Sequence, residues 1–81
     1  MVGYKIGTVI AYYATSGLMA VDLTADLHLK DKIIIKNQDS IINIIKIIKI
    51  EHVSVDRGRK GETVVINADF PVAIGDELVR S

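Results

Sequence analysis

The sequence predicts an all-β fold, a small closed barrel or sandwich built from six or seven short strands. Fourteen isoleucines and nine valines favour strands, because β-branched side chains pack well on a pleated surface and are stiff in a helix. Turn residues recur roughly every 8–12 positions, which is the spacing of small barrels and sandwiches. A short acidic motif precedes three of the predicted strands. Residues 1–81 are therefore expected to form a single β-barrel domain.

Composition excludes several classes of protein. Ten Lys and Arg balance ten Asp and Glu, which argues against a protein whose affinity comes from coating phosphates. The chain has no cysteine, which excludes a disulfide scaffold, a thiolate zinc site and a cysteine nucleophile. The uncharged stretch 6–21 is too short and too polar to span a bilayer, and no cleavable signal is evident. A cytoplasmic location without a membrane partner is expected.

The first two strands are predicted to form a hairpin. Residues 7–13 are a β-branched and aromatic run, and residues 14–17 have the composition of a turn. Residues 18–23 then alternate, with Met19, Val21 and Leu23 on one face.

Three acidic motifs share one form, a basic or small residue followed by an acid, any residue and an aliphatic residue. They are Lys30-Asp31-Lys32-Ile33, Gly61-Glu62-Thr63-Val64 and Gly75-Asp76-Glu77-Leu78. The first residue is expected to reverse the chain with a positive φ, and the carboxylate to bond nearby backbone N–H groups. The aliphatic residue then begins the next strand, so the acids are interpreted as structural.

The segment Ile41–Ile50 is ambiguous, because its polar residues recur every third position and fit neither period cleanly. Seven of its ten residues are isoleucine, which favours a strand. We predict one long strand, bent or bulged so that the core-facing side changes partway; a helix is the alternative.

This isoleucine content exceeds what one face of a strand can bury in so small a barrel. Surplus apolar surface on a strand favours a partner, and the sequence predicts a homodimer through the Ile41–Ile50 strand. The alternative is a central strand that is covered on both sides.

The same landmarks carry a family resemblance over roughly residues 4–79. They are Ile6-Gly7-Thr8-Val9, Gly17-Leu18-Met19-Ala20-Val21-Asp22-Leu23, the three acidic motifs and Ile48-Lys49-Ile50-Glu51-His52. Their order resembles domain 2 of translational GTPases of the elongation factor Tu type, and more closely the small C-terminal barrel of collagenase-like peptidases. The resemblance implies a six-stranded closed Greek-key β-barrel of the translation-protein type.

Two departures from the family limit what the resemblance implies. Lys30 stands where the family has glycine, and a left-handed lysine would cost about 1–2 kcal/mol. The chain also lacks the G-x-x-x-x-G-K-[ST] phosphate-binding loop. The resemblance therefore implies a non-catalytic module rather than an enzyme.

The densest basic cluster is the candidate contact surface. Arg57, Arg59 and Lys60 lie on a glycine-flanked turn and can reach phosphates, with Lys46 or Lys49 assisting. The alternative interpretation is a solvated hairpin tip. Two further candidates, Tyr12 and Tyr13, are adjacent in a strand, so one should be buried and the other displayed as a stacking platform.

Other chemistry has little support in the sequence. His28 and His52 lack the spacing of metal ligands, and no G-x-S-x-G elbow occurs, so we expect no metal, no cofactor and no catalytic residue. Two functions remain. The first is a module that binds RNA, the ribosome or another ribonucleoprotein partner. The second is a protein-interaction or homo-oligomerisation module without a nucleic-acid role.

Overall fold

The computed structural model describes residues 5–35 and 42–80, and this part of the chain is built from ten short strands. In chain order they are β1 (Lys5–Tyr13), β2 (Leu18–Leu23), β3 (Leu27–His28), β4 (Lys32–Ile35), β5 (Ile42–Ile44), β6 (Ile48–Ile50), β7 (Val53–Val55), β8 (Arg57–Gly58), β9 (Thr63–Asn67) and β10 (Glu77–Arg80).

Eight of these strands form one antiparallel sheet in the order β5-β4-β10-β1-β2-β9-β6-β7. The sheet curls strongly into a half-barrel, and β3 pairs with β8 as a separate antiparallel ribbon. The predicted all-β class is confirmed, since the described residues contain strands, turns and irregular segments and no helix. It follows that the described segments include no helix long and apolar enough to cross a membrane.

The concave side of the sheet holds the hydrophobic core. On β2 the inward side chains are Met19, Val21 and Leu23, as the sequence alternation predicts. The largest fully buried side chains are Ile6, Val9, Met19, Val21, Leu27, Ile33, Ile35, Ile45, Ile48, Val64, Ile66 and Leu78. The predicted first hairpin is confirmed, with Tyr13 opposite Leu18 at its turn.

The single long strand that we predicted for Ile41–Ile50 is wrong in its continuity. The described part of this segment forms β5 and β6, separated by the irregular residues 45–47. The core-facing side does change partway, because the buried residues are Asn43 on β5 and Ile45 in the irregular segment, at odd positions, and then Ile48 on β6, at an even one. Ile41 lies outside the described residues.

An amide network explains why the chain breaks there. The side-chain Oδ1 of Asn67, at the end of β9, accepts the N–H groups of Lys46 at 2.7 Å and Ile47 at 3.4 Å. Its Nδ2 donates to the carbonyl of Ile44 at 2.8 Å. The Asn67 side chain thus satisfies backbone groups of residues 44–47 that would otherwise pair with a neighbouring strand. These residues therefore keep an irregular conformation between β5 and β6.

Asn43 completes this network from the inner side of β5. It is 1% exposed, donates from Nδ2 to the backbone carbonyl of Asn67 at 3.1 Å, and accepts the N–H of Asp69 at 2.7 Å. A buried amide is favourable only when its polar groups are bonded, and both are bonded here. The two asparagines therefore connect β5 to β9 across an interval that no backbone ladder spans.

The three acidic motifs form three equivalent turns, which confirms their structural interpretation. Residues Lys30, Gly61 and Gly75 have φ values of 71°, 90° and 95°. The acid that follows each one accepts the backbone N–H three positions before it. These bonds join His28 N–H to Asp31 at 2.9 Å, Arg59 N–H to Glu62 at 2.6 Å and Ala73 N–H to Asp76 at 3.0 Å.

Asp76→Ala is expected to lower the free energy of unfolding by about 1 kcal/mol, because the Ala73 N–H loses its carboxylate acceptor. Urea unfolding followed by circular dichroism measures this change. Asp76→Asn keeps an oxygen acceptor and should cost less. An Asp76→Ala variant as stable as the wild type would contradict the structural role of this acid.

Candidate binding groove on the outer face of the sheet

A groove of about 540 Å³ lies on the convex face of the sheet, across β1, β2, β9 and β6. Its floor is apolar and is formed by Leu18, Ala20 and Val65. Ala20 lies directly opposite Val65 in the β2–β9 ladder and is only 6% exposed although it faces outward. Small and half-buried residues at the centre of the face therefore leave a depression whose size is in the range of ligand sites.

One wall of the groove depends on an irregularity in β1. Ile10 and Tyr13 are three positions apart, so a regular strand would place them on opposite faces of the sheet. The register shifts between Val9 and Ala11, as in a β-bulge, and both side chains then line the groove. They are 40% and 48% exposed, so an apolar wall is open to solvent.

The opposite side of the groove is polar. It is formed by Lys49 on β6, by Glu51 and His52 in the following turn, and by Thr63 on β9. Thr63 is held in place, since its Oγ1 donates to Asp22 Oδ1 at 2.6 Å. The groove thus combines an apolar floor and wall with one lysine, one glutamate and one histidine.

The turn that carries Glu51 and His52 is strained. The two residues connect β6 to β7 with φ values of 50° and 69°, the sign pattern of a type I′ turn, in which Asn and Gly are preferred. Each left-handed residue costs about 1–2 kcal/mol relative to a relaxed backbone. Strained residues of this kind cluster at functional sites, which makes the turn a candidate part of the groove's function.

The two tyrosines point to opposite faces, as predicted, although Tyr12 is only half-buried, and a stacking role for Tyr13 stays a prediction. Tyr12 packs against the hydrophobic core, whereas Tyr13 is displayed on the outer face. Of the seven candidate contact residues, the structure brings Tyr13 and Lys49 together in the groove.

Arg57, Arg59 and Lys60 are exposed on β8 and the turn that follows it, away from the groove lining. Two carboxylates lie beside this basic turn, one of them from a distant part of the chain. Glu62 accepts the backbone N–H of Arg59, and Asp26 accepts that of Lys60 at 2.8 Å. The positive potential that the sequence suggested at this turn is therefore reduced by its own acidic neighbours. Contact with RNA through these residues stays a prediction.

The remaining candidate, Lys46, is exposed in the linker between β5 and β6, where its backbone N–H bonds Asn67. His28 pairs with Arg57 in the β3–β8 ribbon, apart from His52 in the groove. Within residues 5–35 and 42–80, no three histidine or acidic side chains are grouped to hold a metal ion.

The predicted homodimer surface is smaller than the sequence suggested. Ile45 and Ile48 are buried in the core, while Ile42 and Ile44 are 49% and 40% exposed on the outer side of β5. Self-association through these residues stays a prediction. Sedimentation at high micromolar concentration should show a dimer that Ile42→Lys dissociates. A monomeric wild type would contradict the prediction.

Comparisons with known proteins identify similar folds. Two crystal structures of the C-terminal domain of a predicted U32 peptidase from Geobacillus thermoleovorans superpose on this chain with TM-scores of 0.83 and 0.80. The first is 17% identical to this chain, and the alignment covers 94% of this chain and 90% of the crystallised domain. The second, a selenomethionine variant, is 18% identical, and its alignment covers 96% of this chain and 99% of the crystallised domain. No family model and no curated protein matches the chain. At this identity the likeness establishes a shared all-β fold, that of the C-terminal domain of a U32 peptidase.

Proposed function

We propose that this chain is a non-catalytic binding module and that its outer-face groove takes an apolar side chain of a polypeptide. The observation that carries the proposal is the apolar floor of Leu18, Ala20 and Val65 beside the exposed ring of Tyr13. Open apolar depressions with a polar rim are typical of interaction sites, because filling them removes apolar surface from water. An aliphatic or aromatic side chain on an extended segment matches such a depression.

The charge of the groove favours a polypeptide over RNA. Its lining contains one lysine and one glutamate, and the formal net charge of the whole chain is zero. Nucleic-acid sites depend on clustered cations that neutralise several phosphates. The two similar crystal structures are domains of a predicted peptidase, a class of protein that acts on polypeptides, and this supports the same class of ligand.

RNA or a ribonucleoprotein is the second candidate partner. It is favoured by the presence of an exposed aromatic ring, Tyr13, and a cation, Lys49, in one groove, since single-stranded RNA stacks on aromatic rings beside such cations. In this case Arg57, Arg59 and Lys60 would add phosphate contacts. Replacing these three by Ala should then weaken RNA binding and flatten the log–log salt slope by roughly two to three units.

We further propose that the curled sheet is a variant of the translation-protein fold, in which six strands close into a Greek-key barrel like domain 2 of elongation factor Tu. Support comes from the three equivalent turns at Asp31, Glu62 and Asp76, and from the asparagine pair that connects β5 to β9.

A cytoplasmic location is proposed as well, supported by the absence of cysteine from the sequence.

Titration of the ¹⁵N-labelled protein tests the choice of ligand. The probes are blocked pentapeptides with one central Leu or Phe among serines, and hexauridylate at low salt. We expect the Leu and Phe peptides to shift the amide signals of Tyr13, Ala20 and Val65. Peptides with a central Ser should leave these signals in place. If hexauridylate alone causes shifts, or if no peptide does so at millimolar concentration, the polypeptide proposal is wrong.

A matched pair of variants separates the groove from the rest of the surface. Val65→Thr replaces one methyl group of the floor by a hydroxyl without changing the shape of the side chain. Because the ligand then buries about one methyl group less apolar surface, peptide binding should weaken by roughly three- to tenfold. Val53→Thr makes the same change on β7, where the valine is 62% exposed and does not line the groove. The second variant should bind as the wild type does.

A further inference from the structure

Lys49 lies next to the apolar floor of the groove. Its register partner across the β6–β9 ladder is Val65, and on the other side it is paired with Ser54 of β7. The residue is half-buried, so part of its side chain is covered by its neighbours. A lysine in this position buries its alkyl chain on apolar surface and presents its ammonium group at the edge.

Most of the acids among the described residues are engaged elsewhere. The acidic residues whose carboxylates take part in a hydrogen bond or ion pair are Asp22, Asp26, Asp31, Glu62, Asp69, Asp76 and Glu77. Across the described ranges, no carboxylate oxygen lies within 4.0 Å of the Lys49 ammonium nitrogen. The groove therefore presents a cation without an internal counter-ion, directly beside a site for an apolar side chain.

Strand geometry fixes how far apart the ligand's two groups must be. Neighbouring strands are about 4.8 Å apart, so the floor at Val65 and Ala20 lies about one to two strand spacings from Lys49. In an extended peptide, side chains two positions apart point to the same side and are separated by about 6.6 Å. Adjacent side chains point to opposite sides and cannot both enter the groove.

Resting on the proposed function, we propose that the groove selects a segment in which an apolar residue is followed or preceded, two positions away, by Asp or Glu. The apolar side chain lies on Ala20 and Val65, and the carboxylate pairs with Lys49. Glu51 is the acid that lines the groove, on the strained turn at its rim. Its charge opposes the ligand's carboxylate and lowers the affinity that Lys49 provides.

Three blocked pentapeptides test this selection, Ser-Leu-Ser-Glu-Ser and its counterparts with Gln or Lys in place of Glu. We expect the wild type to bind the Glu peptide roughly two- to fivefold more tightly than the Gln peptide, the range for a half-exposed ion pair, and the Lys peptide least. High salt should remove most of this preference. The titrations are followed by the amide signals of Ala20 and Val65.

Charge variants assign the preference to named residues. Lys49→Gln should lose the preference and bind the Glu peptide no more tightly than the Gln peptide, because Glu51 still repels the ligand's carboxylate. Lys49→Glu should prefer the Lys peptide. Glu51→Gln should bind the Glu peptide more tightly than the wild type does. Lys46→Gln is the matched control, because it removes a lysine outside the groove lining and should leave the preference unchanged.

The outcomes separate this inference from the function on which it rests. Equal binding of the Glu and Gln peptides by the wild type would overturn the carboxylate selection and leave the polypeptide groove in place. No binding of any leucine peptide would overturn both. If Lys49→Gln still prefers the Glu peptide to the Gln peptide, Lys49 does not cause the selection and this inference is wrong.

Discussion

Asn43→Leu is expected to lower the free energy of unfolding by about 3 kcal/mol. Leucine has the same number of side-chain heavy atoms and the same branching, but it removes the acceptor of the Asp69 N–H and the donor to the Asn67 carbonyl at a position that is 1% exposed. Both bonds are part-buried, and a backbone group that loses its partner away from water costs about 1–3 kcal/mol. For a domain of this length, whose total stability is about 4–12 kcal/mol, this is a large fraction.

Urea unfolding monitored by circular dichroism measures the effect, and Ile44→Leu serves as the control. It introduces the same residue on the same strand, but the Ile44 side chain is exposed and only its backbone carbonyl bonds Asn67, which the substitution keeps. Its effect should therefore stay within about 0.5 kcal/mol. If Asn43→Leu unfolds at the same urea concentration as the wild type, the amide network does not hold β5 to β9.

Gly7→Ala is expected to destabilise the protein by about 2–4 kcal/mol. A Cβ atom at this position would lie 2.6 Å from the backbone oxygen of Asp22 and 2.6 Å from a methyl of Val21. The oxygen belongs to the neighbouring strand β2, so relief of the contact requires the two central strands to separate. Overpacking of this kind costs about 1–3 kcal/mol where side chains can move, and more where backbone must move.

Gly61→Ala is the matched comparison. Gly61 has a φ of 90°, whereas a Cβ there would meet no atom within 4 Å. Its cost is therefore that of a left-handed alanine, about 1–2 kcal/mol. We expect the melting temperature to fall further for Gly7→Ala than for Gly61→Ala. The reverse order would show that backbone conformation rather than close strand packing governs these glycines.

The elements that could be predicted from sequence are those specified by local chemistry. The first hairpin follows from the alternation of β2 and the composition of its turn. The three turns follow from an acid placed after a residue with positive φ, and Lys30 adopts that conformation at φ 71° without being glycine. These patterns involve residues at most a few positions apart, so a single sequence contains them completely.

The break between β5 and β6 could not be predicted, because its cause is distant in sequence. Asn67 bonds the N–H groups of Lys46 and Ile47 from about twenty positions away, and nothing in the local pattern of isoleucines indicates this. The sequence pattern also gave no sign that the polar Asn43 lies on the inner face of β5. A buried amide is recognisable only once its partners are known.

The groove was missed for the same reason. Tyr13 and Lys49 were candidates separately, but they meet only because β6 pairs with β9 and β1 contains a bulge. The residues Glu51 and His52 do not predict a tight turn, because a type I′ turn normally has Asn or Gly at these two positions. The available signal was on β2, where Leu18 and Ala20 make the outward face apolar as well as the inward one.

Intermolecular nuclear Overhauser contacts test the central claim, that the outer face of the sheet binds an apolar side chain of a polypeptide. The sample is the ¹³C,¹⁵N-labelled protein with the unlabelled peptide Ser-Leu-Ser-Glu-Ser. We predict contacts from the peptide's leucine methyl groups to the methyl groups of Ala20 and Val65 and to the ring of Tyr13, with none to residues 57–60. Contacts confined to residues 57–60 or to the isoleucines of β5 would contradict the account.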